Sequence, residues 1–509
     1  MADVIIAGGG PTGLMLACEL RLAGVDVLVL EKLARRTGES RAGGLHARSV
    51  ELLDQRGIVD RFLAEGSAQP LAHFAFMHLD IDDFPTRHPY AVAIHQSRIE
   101  QLLEDRALEL GVQLRRPAEV IGLEQDETGI EVEVAVDGGT ERLRADYLVG
   151  CDGGRSKVRK LAGVGFPGTP ATLTALLGDV ELTDPPSEIV FGQEGRRDNG
   201  FYMNFQSEYP GLRRIITVEF GKVTDRDAPV TVETLSEACV EIVGTDWGMH
   251  SPRRLDRFSD ACRLVDSFRQ GRVLLAGDAA HVHFPSSGQG LNLGLQDAVN
   301  LGWKLAAVVK GEAPDELLDT YHSERHLHTT HMLNNIRAQT ALWPAGSEAD
   351  ALRRVFEDLI EFEHGNRYLG GVISQLDTHY PVGDGHPALG RRMTDLDIKS
   401  PNGRVSVYEL LHGARPLLLD FSGRPDVRAA ADGWTDRVDL VEAEPQDDRW
   451  AFPVIGDVPA PAAVLIRPDG HVAWATPTAA AAGSEAEGLT DALTRWFGPA
   501  RARREQDAA

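Results

Sequence analysis

The chain has 509 residues, enough for more than one domain, with 42% hydrophobic and 25% charged residues, the composition of an ordinary globular protein. Its 52 basic and 77 acidic side chains leave a net charge of −25, which argues against a nucleic-acid partner. No apolar run approaches the roughly 18 residues of a membrane span, the start lacks the basic and long apolar regions of a signal peptide, and four scattered cysteines (Cys18, Cys151, Cys239, Cys262) have no CxxC or zinc spacing, so a cytoplasmic chain without a metal site is expected.

The first fifty residues predict a strand, a glycine turn, a helix, a second strand and an acid. Val4–Ala7 is a short apolar run suited to a buried parallel strand. Gly8-Gly-Gly10-Pro11-Thr12-Gly13 follows at once, then Leu14, Ala17, Leu20 and Ala23 recur at helical spacing up to Gly24. Val25–Leu30 reads as the next strand and ends at Glu31, 18 residues past Gly13. This is the GxGxxG pattern in its full context. The glycines allow the turn and close backbone approach to a pyrophosphate, the helix start supplies amide donors, and the acid grips ribose hydroxyls. Glu31 would repel a 2′-phosphate, which leaves FAD or NAD.

Further along, Gln96 opens a helical pattern through Glu100, Leu103 and Leu110, and Ile130, Val132, Val134 and Val136 alternate as in an antiparallel strand. Tyr147-Leu-Val-Gly-Cys-Asp152-Gly153 is an apolar run ending in a turn, with Ser156 and Arg159 after it. On residues alone it is a strand and a helix cap. Gly271-Arg-Val-Leu-Leu-Ala-Gly277-Asp278 repeats the strand-then-acid arrangement. The stretch after it holds His281, His283, Ser286, Ser287 and Gly288-Gln-Gly290, open to reading as a metal site, a nucleophile or an anion cradle. Two histidines without a third ligand make a poor metal site, and neither serine sits in a GxSxG elbow.

Taken together, the GxGxxG, "DG" and "GD" motifs in this order resemble the class A flavoprotein monooxygenases, the family of para-hydroxybenzoate hydroxylase. Within it, "GLHARSVELLDQRG", "YLVGCDGGRSKVRK", "GQGLNLGLQDAVNLGWKLAAV" and "VLIRPDGHVAWA" are similar to the actinomycete hydroxylases of aromatic polyketides and the rifamycin-modifying monooxygenases. The resemblance implies FAD as cofactor. It places Gly8, Gly10, Pro11, Thr12, Gly13, Glu31, Lys32, Val120 and Asp152 at the nucleotide, Arg41 at the diphosphate, Gln96 on the flavin side and Asp278 on the ribityl chain. Pro285 would flank the flavin edge, with Gly288, Gly290, Leu291 and Asn292 beneath the ring system, the last two opening a helix whose amides face it. His95 stands where related sequences often carry proline.

The implied fold is α/β. Residues 1–175 and 268–392 build a discontinuous Rossmann-like FAD domain, 176–267 an inserted β-sheet substrate domain, and 393–509 a thioredoxin-like domain without cysteines. Phe201–Phe205 and Leu212–Phe220 read as sheet strands and Thr231–Val243 as a helix behind them. The turn-rich His386–Met393 and Ser400-Pro-Asn-Gly mark a linker. Arg415–Asp420, Val438–Val441, Ala463–Ile466 and His471–Trp474 follow as strands, with a hairpin turn at Arg467-Pro-Asp-Gly470 and a closing helix Leu489–Phe497. The alanines 479–482, with Glu485 and Glu487, read as a loose loop, and the tail after Pro499 as frayed.

The implied chemistry is monooxygenation. NADPH or NADH, bound transiently, reduces FAD, and O2 held as a flavin C4a-hydroperoxide is delivered to a polycyclic phenol. No second nucleotide fold is visible, because Leu293 stands where Gly288-Gln-Gly290 would need its third glycine. Phe74, Met77, Phe201, Tyr202, Phe205 and Trp247 are candidates for an aromatic substrate pocket. The alternative within the fold is Baeyer–Villiger insertion or inactivation of a rifamycin or tetracycline. A reductase or binding module without oxygen transfer is a third reading, and an NAD dehydrogenase a fourth. A monomer or homodimer is expected.

Overall fold

The computed structural model describes residues 2–70, 72–225, 228–401, 403–423, 425–444, 447–476, 486 and 488–501. The alanines 479–482, Glu485, Glu487 and everything past 501 lie outside the described residues.

Val4–Ala7 and Val27–Leu30 are buried at every position, as continuous apolar runs in a doubly covered parallel sheet must be. They sit inside a six-stranded sheet in the order Arg269–Gln270, Val273–Leu275, Tyr147–Gly150, Val4–Ala7, Val27–Leu30, Gln113–Arg115. The register pairs Val4 with both Tyr147 and Val27, and of these strands the edge strand Arg269–Gln270 alone runs antiparallel. The expected antiparallel strand is Ile130–Val136, between Ala118–Gln125 and Gly139–Ala145. The first helix spans Pro11–Leu22, with Pro11 at its first position, where the missing N–H costs nothing. The second strand is shorter than its apolar run, because the Val25 amide still bonds the Leu20 carbonyl of the helix before it.

A second, antiparallel sheet takes the order Gly200–Gln206, Arg213–Glu219, Thr174–Leu182, Met249–Ser259. The helix Val232–Val243 covers one face. It starts on Thr231, whose hydroxyl accepts from the Thr234 amide, and ends at the left-handed Gly244. Leu176, Val180 and Ile215 point into that helix with Leu235 and Cys239. Register then puts Phe201, Met203, Phe205, Ala175, Asp179, Arg214, Val218 and Phe258 on the opposite face.

The C-terminal sheet runs Asp439–Glu442, Leu417–Asp420, Ala463–Ile466, Val472–Ala475, the first pair parallel and the rest antiparallel, and Leu489–Phe497 packs beside it. Two connections are tighter than the turn-rich sequence implies. His386–Met393 is no exposed linker. Ala388, Arg392 and Met393 are buried, and the Gly390 amide bonds the Val472 carbonyl at 2.9 Å. The start of the tail is tied down as well: Trp434 Nε1 donates to Gly498 O, Arg437 Nη2 to Pro499 O, and the Arg501 amide to Gly433 O. Among the described residues no helix is long and apolar enough to cross a membrane.

Candidate active site

Four separated segments meet at the C-terminal edge of the parallel sheet, the place where open α/β sheets bind ligands. The glycine turn is closed on one side and open on the other. A Cβ at Gly13 would lie 2.1 Å from the Gly8 carbonyl oxygen, and one at Gly8 2.3 Å from that of Cys151, so the turn packs against its own chain and against the strand leading to Asp152. A Cβ at Gly10 would meet nothing within 4 Å. Thr12 wedges against Gly277 and Gly294: Cβ atoms there would stand 2.6 and 2.3 Å from its hydroxyl oxygen.

Glu31 ends the second strand beside this turn. Its Oε2 accepts from the Gly9 amide at 2.8 Å and its Oε1 from the Leu33 amide at 2.8 Å. Val120 is buried in the strand that joins Glu31 through the Ala118 amide, and Lys32 is exposed just beyond. Asp152 caps the helix Lys157–Leu161, its Oδ2 accepting from the Lys157 and Val158 amides at 2.7 and 3.1 Å, while its buried Oδ1 has no partner. Arg41 lies on an exposed loop. Gln96 holds that loop through Oε1, which accepts from the Arg41 and Ala42 amides at 3.3 and 3.1 Å. Asp278 and Pro285 are exposed.

The long helix Gln289–Val309 begins at Gly288, which adopts the left-handed conformation. It thus starts two residues before the expected Leu291. The free amides of its first turn are those of Gln289, Gly290 and Leu291, and Asn292 falls inside the ladder. Asn292 contributes its side chain instead. Oδ1 accepts from the His46 amide at 2.8 Å and Nδ2 donates to Gly288 O at 2.9 Å. Two imidazoles flank the loop before this helix: His46 Nε2 donates to Ser287 O and His283 Nδ1 to Phe284 O, both at 2.7 Å. Burial pushes His46 and the nearby His73 down to about 4, so both are neutral near pH 7. His281 is instead a core residue beneath the site, bonded to Asp297.

That acid is the main site-supporting residue missed in the sequence. Asp297 is fully buried, and its Oδ2 accepts from the Gly277 amide at 2.9 Å and from His281 Nε2 at 2.8 Å. Its Oδ1 accepts from Arg325 Nε at 2.7 Å, and Arg325 reaches the Tyr380 hydroxyl at 2.9 Å. Burial alone would raise the Asp297 pKa, but Arg325 and His281 hold it at about 2. An acid amid the apolar run "LGLQDAVNLGW" is the sequence signal for it.

The six aromatic and thioether candidates separate. Phe74, Met77 and Phe201 share one buried cluster, and Phe205, on the same sheet face as Phe201, stacks edge-on to Phe191 at 5.7 Å. Tyr202 and Trp247 do not join them. Strand alternation turns Tyr202 to the opposite face, where it meets Trp247 at 6.1 Å and Arg197. In their place the structure brings in Phe76, Phe258, Phe284 and Trp343. Phe201 lies 5.3 Å from Phe76 and 4.7 Å from Trp343, and Phe284 lies 5.0 Å from Trp343 and 5.5 Å from Phe258. Phe284 adjoins Pro285, so these rings reach from the sheet to the cradle loop.

This architecture fits a dinucleotide carrying a flat ring system: an open face at Gly10, an unpartnered Asp152 oxygen, and a helix start at Gly288 next to aromatic rings. Comparison with known proteins agrees. Residues 1–336 match the family described as "FAD binding domain" and residues 386–500 that described as "Aromatic-ring hydroxylase, C-terminal". The chain belongs to the class A flavoprotein monooxygenases. A rifampicin monooxygenase of Streptomyces venezuelae is 47% identical, with 99% of this chain and 100% of the relative covered. Among solved structures, the anhydrotetracycline hydroxylase OxyS of Streptomyces rimosus is 44% identical with a TM-score of 0.88, covering 98% of this chain and 99% of that one. CabE, an aromatic hydroxylase from angucycline biosynthesis, is 43% identical with a TM-score of 0.89, covering 98% and 100%. This monooxygenase uses FAD, with NAD(P)H as its reductant.

The histidines of the monooxygenase set its acid sensitivity. A histidine held at about 4 in the fold against an ordinary 6.5 binds its proton more readily when unfolded, so the fold loses stability as pH falls from 6.5 to 4. The melting temperature is expected to drop steadily across that window. A flat profile there, measured without FAD, would contradict the neutral His46 and His73.

Proposed function

We propose that this monooxygenase hydroxylates a polycyclic phenol of the aromatic polyketide class in antibiotic biosynthesis, consuming O2 and NAD(P)H. The observation that carries the substrate class is the run of rings from Phe76 and Phe201 through Trp343 to Phe284 and Phe258, an apolar wall beside Pro285 suited to a flat fused-ring ligand. Bound FAD supplies the redox chemistry, taking electrons from NAD(P)H and activating O2. The chain's residues bind and orient. Gly8, Gly10, Pro11, Thr12 and Gly13 receive the pyrophosphate, with Arg41 beside it, and Glu31, Lys32 and Val120 line the adenosine end. Asp152 and Asp278 face the polar middle of the cofactor. Gln96 sits on the flavin side, Pro285 flanks the ring edge, and the amides at Gly290 and Leu291 offer a positive helix end to negative charge on the ring system. The aromatic wall excludes water, which protects an oxygen-transferring site from side reactions. Phe74 and Met77 back that wall.

In this reading residues 1–175 and 268–392 form the FAD domain, 176–267 the substrate domain and 393–509 a separate unit. The C-terminal strand order, with one parallel pair followed by an antiparallel hairpin and a helix, supports a thioredoxin-like fold. No cysteine follows Cys262, so that unit does no thiol chemistry. Use of NAD(P)H supports a cytoplasmic location.

With ¹⁸O2, NADPH and polycyclic phenols, one labelled oxygen is expected on the ring of the product. Unlabelled product, or NADPH oxidation that no phenol stimulates, would overturn the proposal. A second reading, oxidative inactivation of an antibiotic, is favoured by the 47% identity to a rifampicin monooxygenase; label retained in a modified rifamycin would select it.

A further inference from the structure

The C-terminal sheet sends one hairpin tip, Arg467-Pro468-Asp469-Gly470, into the FAD-binding part of the chain. Arg467 is 0% exposed and Asp469 2%. Arg467 donates to both Glu324 oxygens at 2.6 and 2.9 Å and pairs with Asp469. Asp469 Oδ2 accepts from Trp303 Nε1 at 3.2 Å and Asn300 Nδ2 at 3.4 Å, and Lys304 Nζ bridges Asn300 Oδ1 and Glu324 Oε2, each at 2.8 Å. Trp303, Asn300 and Lys304 all stand on the helix Gln289–Val309, which begins at the flavin cradle.

The other side of the same tip holds the second segment that closes on the cofactor. Arg48 Nη2 donates to the Asp469 carbonyl at 2.9 Å and Arg56 Nη2 to that of Pro468 at 2.7 Å. Arg48 lies in the helix Ala47–Asp54, directly after the Arg41 loop, and Arg56 just beyond it. At the cradle end the two segments touch through the His46 amide and Asn292 Oδ1. Apolar packing could bury these surfaces at no charge-desolvation cost. Buried ionic groups held by several bonds at once instead favour one geometry, because a slip strands a charge.

We propose that the Arg467–Gly470 tip is a positioning element for the flavin: through Asp469 it fixes the spacing between the helix that starts at Gly288 and the helix that follows Arg41. This rests on the placement proposed above, with the cofactor's pyrophosphate beside Arg41 and its ring system at the start of the Gly288 helix. The C-terminal unit is then part of the cofactor site without touching the cofactor.

The experiment uses the full-length chain, with FAD affinity read by flavin fluorescence and ring geometry by visible circular dichroism of the bound flavin. Asp469→Ala leaves Arg467 paired with Glu324 but removes the link to Asn300 and Trp303. It is expected to raise the FAD Kd about tenfold, the scale of one or two lost buried hydrogen bonds, and to shrink the visible dichroism. Asp469→Asn, which keeps an acceptor, is expected to recover a good part of both. If Asp469→Ala does not fold, Trp303→Phe removes one donor and keeps the aromatic ring. Affinity and dichroism within about twofold of the parent in the folded variant overturn the proposal. Asp278→Ala, run alongside, separates the two layers. Weakened FAD binding there with none here removes the role of the tip. Unchanged binding in both removes the flavin placement and this proposal with it. Weakening in Asp469→Ala alone upholds the tip and moves the ribityl contact away from Asp278.

Discussion

Asp297→Ala is expected to cost the fold about 3–5 kcal/mol, the penalty for stranding a buried charge, and to abolish FAD retention. In the parent, Asp297 neutralises Arg325, which has no exposed surface, and receives the Gly277 amide next to Asp278. Without it Arg325 keeps only neutral acceptors, the Tyr380 hydroxyl and the Leu293 carbonyl. The Gly277 amide is left bare, and the loop that aims Asp278 loses its anchor. Urea denaturation measures the first effect, and the flavin-to-protein absorbance ratio after purification the second. The same carboxylate predicts a late acid step. A group held at about 2 in the fold contributes stability that is complete above the ordinary carboxylate value and lost as pH falls from about 4 towards 2. That step lies below the window of His46 and His73. A cost under about 1 kcal/mol for Asp297→Ala would mean the buried ionic cluster carries little of the site.

Gly13→Ala and Gly10→Ala are expected to fail in different ways. At Gly13 the new methyl would stand 2.1 Å from Gly8 O, a fixed part of the turn, and 3.3 Å from the Cys151 side chain at the end of the neighbouring strand. The helix must move off the sheet, at a cost of about 1–3 kcal/mol or more for overpacking, and FAD binding is lost with the turn. At Gly10 the methyl points into open space and the backbone angles, φ −82° and ψ −177°, suit any residue. The cofactor-free chain should therefore unfold within about 0.5 kcal/mol of the parent. FAD affinity should still fall by about tenfold or more, because the methyl occupies the approach path of the pyrophosphate. Thermal melts without FAD, paired with FAD titrations, separate the two. Equal affinity in Gly10→Ala and the parent would place the phosphates elsewhere.

Where the fold was legible in the sequence, physical necessity was local. Val4–Ala7, the glycine turn and Glu31 follow one another within thirty residues, and each needs its residue type for a reason visible on the spot. Thr231 and Gly244 likewise bound their helix by capping chemistry alone. The aromatic face of the second sheet was harder. Phe201 and Tyr202 are neighbours of similar character, and only pairing with the strand Arg213–Glu219 decides which one faces away from the covering helix. Trp343 and Phe284 reach the same wall from far along the chain, and no periodicity connects them to Phe201. Asp297 was visible as an acid in an apolar helix, but its partner Arg325 stands on another helix, so its task was not. The start of Gln289–Val309 was misplaced by two residues because Gly288 and Gly290 read as loop, whereas only Gly288 takes a left-handed conformation.

The hairpin tip at Arg467 also sets a timetable. Glu324 leaves the ribosome 143 residues before the arginine that bonds its Oε1, an interval on the order of ten seconds at ordinary rates of synthesis. Until then the cradle helix and the helix that bears Glu324 can dock only with Lys304 and Asn300 holding Oε2 and with Oε1 lacking its arginine, a costly arrangement in a dry interior. The nascent chain is thus expected to stay open around its flavin cleft until nearly all of it has been made, and to load the cofactor late. Stalled chains ending near residue 400 that already retain FAD would show the opposite order.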